Sequence, residues 1–149
     1  MSCTLHTLLY MAVLAAIPGI EGRYAVLAAP CPAAVLTAYA SSTAVGLTVY
    51  LILERLVSLL SIHAPTLYTL YARIEERLKR RLSGASGLMA LIAFIAAPLP
   101  GSGVWSGAVA AKLLGLEKRA ALVGIAIGNL IAVMLVYMVR TLGLKLLGA

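Results

Sequence analysis

The chain has no aspartate and no glutamine, and its 149 residues include a single asparagine, one tryptophan, two cysteines and two histidines. Without aspartate, and with His6 and His63 standing apart from any nucleophile, there is no Ser-His-Asp or Cys-His arrangement, so no enzyme is expected. Cys3 and Cys31 have no metal-ligand spacing and no disulfide framework around them; each reads as a small apolar residue, and no metal or cofactor is expected. Charged residues make up only 11% of the chain against 62% hydrophobic, a balance that cannot present a polar surface to water and marks an integral membrane protein. The net charge of +7 does not point to nucleic acid, because the basic residues gather at the ends of apolar segments with no aromatics interleaved. No basic segment precedes the apolar start, so a cleaved leader is not expected.

What is present is a helix-breaking island in a long apolar run, Ala97-Pro98-Leu99-Pro100-Gly101-Ser102-Gly103-Val104-Trp105-Ser106-Gly107. Proline removes an amide donor and clashes with the preceding turn, so no helix passes through intact. Lys112 is the only charge in the flanking residues 88–97 and 104–116, which places the break at membrane depth. Irregular backbone there must be buried in protein or line a cavity, and the half-helix ends aim free amides and carbonyls into the gap. The device occurs twice. Residues 11–19 (MAVLAAIPG) align with residues 93–101 (AFIAAPLPG), pairing Pro18-Gly19 with Pro100-Gly101 and Ala15 with Ala97. Chance alignment of Ala-rich sequence is the alternative to a repeat.

Length allows one membrane domain, 1–149. Residues 1–40 are interrupted at 18–23 and again at Pro30-Cys31-Pro32. Each piece is shorter than the roughly 20 residues of a crossing, so the segment reads as a re-entrant hairpin. Ser41-Ser42-Thr43 offers capping residues for a first transmembrane helix over 41–62. Residues 63–87 hold an amphipathic linker helix, with Leu67, Leu70, Tyr71, Ile74, Leu78 and Leu82 opposite Arg73, Glu76, Arg77, Lys79 and Arg80. It suits the membrane surface, its basic face toward anionic lipid; a soluble helix packed on a partner is the competing reading. A second re-entrant hairpin follows over 88–116, then a transmembrane helix over 118–141. The expected fold is all-α, two inverted units joined by the amphipathic helix.

If 88–116 re-enters, Arg73, Arg77, Lys79, Arg80, Arg81, Lys112, Lys118 and Arg119 share one face, which is most of the 12 basic residues. The positive-inside rule then makes that face cytoplasmic, in the plasma membrane, with both termini outside. The two hairpins enter from opposite sides, as in many secondary transporters. Four conventional crossings are the structural rival.

Glu21, Arg23, Glu54 and Arg55 are the ionisable residues at membrane depth. Each costs on the order of 3 kcal/mol at a helix centre, so they should pair or face water. Functionally they are candidates to carry a coupling proton or hold an anionic group; structurally they could tie the hairpin to its helix. Ser102 and Ser106 lie beside a half-helix N-terminus at Gly103 and Val104, where amides and the positive dipole end favour an anion or polar headgroup. The alternative is that these serines only cap the helix. Gly19, Pro100, Gly101, Gly103 and Trp105 complete the candidate substrate site, Trp105 as pocket wall or as filler. Asn129 joins them beside the Gly124-x-x-x-Gly128 face, which permits close helix approach within the chain or in a homodimer.

The segments Pro18-Gly-Ile-Glu-Gly-Arg-Tyr-Ala25 and Pro98-Leu-Pro-Gly-Ser-Gly-Val-Trp-Ser-Gly107 together resemble the two signature segments of the small multidrug export family. Members usually carry Thr where this chain has Ser102 and Ser106, a change that keeps the hydroxyl. That family in turn resembles the DedA superfamily, which implies paired re-entrant hairpins and, for some relatives, proton-coupled transport or lipid translocation. The resemblance implies a small secondary transporter taking a small molecule or lipid with a proton or other ion. A lipid-headgroup translocase and a non-transporting scaffold are the alternatives.

Overall fold

The computed structural model describes residues 3–82, 85–99 and 101–146, and among them every regular element is a helix. Helix α1 (Leu5–Ala16) is capped by the Thr4 hydroxyl, which accepts from the amide of Thr7 at 3.3 Å. It stops at Pro18, and Gly19 turns the chain with φ +93°, a conformation that favours glycine. Helix α2 (Glu21–Ala25) and one 3₁₀ turn (Val26–Ala28) lead back to α3 (Pro32–His63). Pro32 sits in the first turn of α3, where its missing amide would have had no partner.

Helix α3 therefore begins well before Ser41, and residues 33–40, expected in the hairpin, are its opening turns. Ser41, Ser42 and Thr43 lie inside this helix and do not cap it; the Ser42 hydroxyl donates back to the carbonyl of Ala38 at 2.8 Å. Helix α4 (Pro65–Arg81) follows, then α5 (Ala85–Ala96), which takes Ala85, Ser86 and Gly87 from the expected linker. Ser83 and Gly84 of that joint lie outside the described residues. After the second break come α6 (Val104–Leu113) and α7 (Lys118–Leu146), the last running past residue 141. Helices α3 and α7 are the two long and apolar enough to cross a membrane.

Contacts give the directions. Cys3 is disulfide-bonded to Cys31 with Cα atoms 6.2 Å apart, and the Ser41 hydroxyl donates to the carbonyl of Ala12 at 2.7 Å. The offset stays nearly constant, so α1 and α3 run parallel. Gly124 packs on Leu91 and Gly128 on Ile95, again at constant offset, so α5 and α7 run parallel and the glycine face serves packing within the chain. Between α3 and α7 the order reverses. Glu54 meets Lys118, Gly46 meets Ile125, and Ser42 and Thr43 meet Asn129, so these long helices are antiparallel.

The disulfide corrects the reading of two isolated apolar cysteines. Because α1 and α3 start side by side at one end, they bring together sulfurs separated by 28 positions, a gap that carries no signature in the sequence.

The apolar interior is double. One core joins Met11, Ala15, Val26, Ala34 and Ala38 with Val133; the other joins Leu91, Ile95, Val104, Ala108 and Ile125 with Tyr50. Each core thus belongs to one half of the chain and borrows a residue from the other half's long helix. Between them lies a buried polar layer of Glu21, Arg23, Ser42, Thr43, Ser102 and Asn129.

Replacing both Cys3 and Cys31 by Ser opens the covalent loop, and should cost on the order of 3 kcal/mol by loop entropy. A lowered thermal midpoint in detergent, with loss of the mobility difference between reduced and non-reduced protein, checks this.

Candidate functional site

The site forms where the two breaks meet. Ending α5 at Ala96 and starting α6 at Val104 leaves carbonyls without helical partners on one side and amides on the other. Residues of the break answer some of these groups, and α2 answers others on both sides. Arg23 Nη1 donates to the carbonyl of Ala97 at 2.9 Å, the carbonyl of Ser102 at 3.1 Å and the Ser102 hydroxyl at 3.0 Å. Glu21 Oε2 accepts from the amide of Val104 at 3.0 Å and lies 3.6 Å from Arg23 Nη2. Glu21 and Arg23 are 4% and 2% exposed, which makes them a fully enclosed ion pair.

The anion expected at the second half-helix N-terminus is therefore supplied by the chain itself. Glu21 sits at the positive end of α6, where an N-terminal turn stabilises negative charge. Gly103 makes room: a Cβ there would collide with the Glu21 carboxylate. Glu21 also adopts φ 52°, which non-glycine residues reach at a cost of about 1–2 kcal/mol. The contact with Val104 and the adjoining Arg23 hold it in that conformation.

Ser102 and Ser106 divide the roles foreseen for them. The Ser106 hydroxyl accepts from the Gly103 amide at 3.0 Å and caps α6. The Ser102 hydroxyl turns toward the end of α5, near the carbonyls of Ala97 (2.6 Å) and Leu99 (2.9 Å), and takes a hydrogen bond from Arg23. Gly19 and Gly101 stand at equivalent points of the two breaks with φ +93° and +87°, exposed and clear of the buried pair. Pro100 lies outside the described residues. Trp105 lines an open cleft of about 530 Å³ with Ala16, Ser41, Ala44 and Thr48, and its indole Nε1 has no partner.

Glu54 and Arg55 do not join Glu21 and Arg23. Glu54 pairs with Lys118 at 3.3 Å, and Arg55 is exposed with no ion-pair partner among the described residues. Both line a separate cleft of about 880 Å³ on α3. Asn129 anchors the polar layer: its Nδ2 donates to Ser42 Oγ and Thr43 Oγ1, both at 2.8 Å. Ser42 in turn abuts Gly22, where no Cβ could fit, so Asn129 reaches the break through one intervening side chain.

Two anchors were not visible in the sequence. Arg140, toward the end of α7, donates to the carbonyls of Val26 (3.1 Å) and Ala29 (2.5 Å) and fastens the 3₁₀ turn that leads into α3. Tyr71 on α4 donates to the carbonyl of Lys112 at 3.1 Å, tying the amphipathic helix to the C-terminal end of α6. Burial, and then the neighbouring Glu75 carboxylate, push the Tyr71 phenol above its ordinary range, so it stays a donor.

Arg23→Ala should be strongly destabilising, by about 3–5 kcal/mol, because it strands the buried Glu21 carboxylate and removes the side-chain donor from the Ser102 carbonyl. Arg55→Ala should change stability by less than about 0.5 kcal/mol. Thermal midpoints of the two variants in one detergent provide the comparison.

Comparison with known proteins adds one match. Residues 9–135 match the family described, as a provisional assignment, as small multi-drug export proteins. No curated protein and no solved structure matches the chain. Since the match takes in both breaks, all of α3 and α7 as far as residue 135, the protein belongs to the small multi-drug export family and is read as a membrane protein.

Proposed function

We propose that the protein is a small proton-coupled secondary exporter whose site lies between the two breaks, with Glu21 as the proton carrier. The observation that carries this reading is the enclosed Glu21–Arg23 pair seated across the second break. A proton on Glu21 removes the charge that holds the Val104 amide and Arg23 together, which frees the start of α6 to part from α2. The cleft walled by Trp105, Ala16 and Thr48 beside this contact supplies an apolar approach for a substrate.

Two features support re-entrant units of opposite orientation. Helices α1 and α5, with 12 residues each, would span about 18 Å, well short of a bilayer core of about 30 Å. Each runs parallel to its own long helix, while the long helices are antiparallel, the relation found in inverted-repeat transporters. In this reading α4 lies at the cytoplasmic surface of the plasma membrane and both termini are outside. A homodimer would cover more of α3, whose apolar span is only 11% buried in one chain.

A lipid-headgroup translocase of DedA type is the second reading. It is favoured by α4, where Leu67, Leu70 and Ile74 are exposed beside exposed Arg73, Arg77 and Arg80, as on a helix lying in a lipid interface.

In proteoliposomes carrying a pH gradient, efflux of a lipophilic anionic dye should move protons with wild type, and both fluxes should fall to background in Glu21→Gln. Wild-type coupling in a folded Glu21→Gln protein overturns the proton-carrier role. Changing Arg77, Lys79 and Arg80 to Gln should impair lipid translocation more than dye efflux if the second reading is right. With Cys3 and Cys31 replaced, a cysteine at Gly19 should react with impermeant reagent from outside and one at Ser86 from inside. Opposite-face labelling of residues flanking one break would show that the segment crosses.

A further inference from the structure

We infer that the seat at the start of α6 binds a two-oxygen anionic group, a phosphate or carboxylate, and that Glu21 occupies it as a tethered stand-in. The inference deepens the transport reading and rests on it for the motion that vacates the seat.

The donors outnumber what Glu21 fills. All three hydrogen bonds of Arg23 use Nη1, while Nε has none although the side chain is only 2% exposed. Nη2 stands 3.6 Å from Glu21 Oε2, beyond hydrogen-bond length. Nε and Nη2 together form the side edge of the guanidinium, the fork that binds both oxygens of one carboxylate or phosphate. Glu21 spends one oxygen on the Val104 amide and leaves that fork unfilled. An anion free of the backbone could take the amide and the fork at once.

Three further observations fit a displaceable occupant. Glu21 is held at φ 52°, so a withdrawal that also carries its backbone out of that conformation relieves strain. Glu21 is the only ion-pair partner of Arg23 among the described residues, so its departure leaves a guanidinium and a helix N-terminus facing an uncompensated seat. Gly103, which offers no side chain, leaves space for a headgroup, and Trp105 in the first turn of α6 borders the apolar cleft that would take an attached hydrocarbon body.

Trp105 is the single tryptophan of the chain and the second residue of α6, so its fluorescence reports on the seat directly. The full-length protein in detergent would be titrated with inorganic phosphate and, separately, with dioctanoyl phosphatidate. Wild type should show a saturable change. Glu21→Gln, which removes the tethered charge, and Glu21→Asp, which keeps it but is one methylene too short for Val104, should each bind at least one probe about tenfold more tightly. The gain should vanish when Arg23→Lys, which keeps the charge but lacks the fork, is added to Glu21→Gln. Response to both probes identifies the phosphate alone as the determinant; response to phosphatidate only identifies a lipid headgroup.

The site is overturned if wild type shows no saturable change with either probe, if neither folded Glu21 variant binds more tightly, or if the gain survives Arg23→Lys. The wild-type titration decides the question even where variants fail to fold. Binding is read without a gradient, so its fate separates from transport. Binding of a probe with no dye movement in liposomes retains the site and defeats the export reading; proton-coupled dye efflux with unchanged binding in Glu21→Gln does the reverse.

Discussion

The two halves of the chain depend on the reach of Glu21 and Arg23 into the second break. A helix interrupted at membrane depth has carbonyls and amides that neither water nor its own turns can satisfy. Here the guanidinium takes carbonyls at Ala97 and Ser102, and the carboxylate takes the amide at Val104. Each charge also answers the other. Neither the break nor the pair is tolerable alone in an apolar interior, and together they fix where α2 lies against α6.

The remaining architecture follows from that requirement. Parallel packing of α1 on α3 and of α5 on α7 brings both breaks to one level, and antiparallel α3 and α7 turn them to face each other. Small residues let the backbones approach: Gly22 against Ser42, Gly46 against Val104, Gly128 against Ile95. The two breaks are chemically unlike. The first break contributes both charges, whereas the second contributes only backbone and hydroxyl groups, and the 3₁₀ turn beyond the first break is fastened by Arg140 from the far end of α7.

The membrane class, the two breaks and the two long apolar helices were legible in the sequence because they rest on composition and on proline and glycine, which act locally. Glu21, Arg23 and Ser102 were each legible as candidates, in separate groups, because charge and helix-breaking residues are rare in apolar surroundings. Their pairing was not, since Arg23 meets partners 74 and 79 positions away and no periodicity records such contacts. Glu54 and Arg55 were grouped with them for being ionisable at similar depth. Position along α3 separates them: Gly46, and not residue 54, is the level at which α3 touches Val104. The start of α3 was misplaced for a related reason. Ser41-Ser42-Thr43 is a capping sequence, but inside a helix a hydroxyl can instead donate to the carbonyl one turn back, as Ser42 does. The cysteines gave no signal because what joins them is the parallel approach of two helices.

The disulfide bears on the order of assembly. Both of its sulfurs lie within the first 31 residues, so the mouth of the first hairpin can be closed covalently while most of the chain is still to be made. At that stage Arg23 and Glu21 have each other but none of the carbonyls and amides that later receive them, all of which lie beyond residue 96. On its own, a turn holding two such charges lacks most of the partners that its burial requires. The covalent clasp ties the start of α1 to the start of α3, so the charged turn between them is already confined when α5 and α6 come to enclose it.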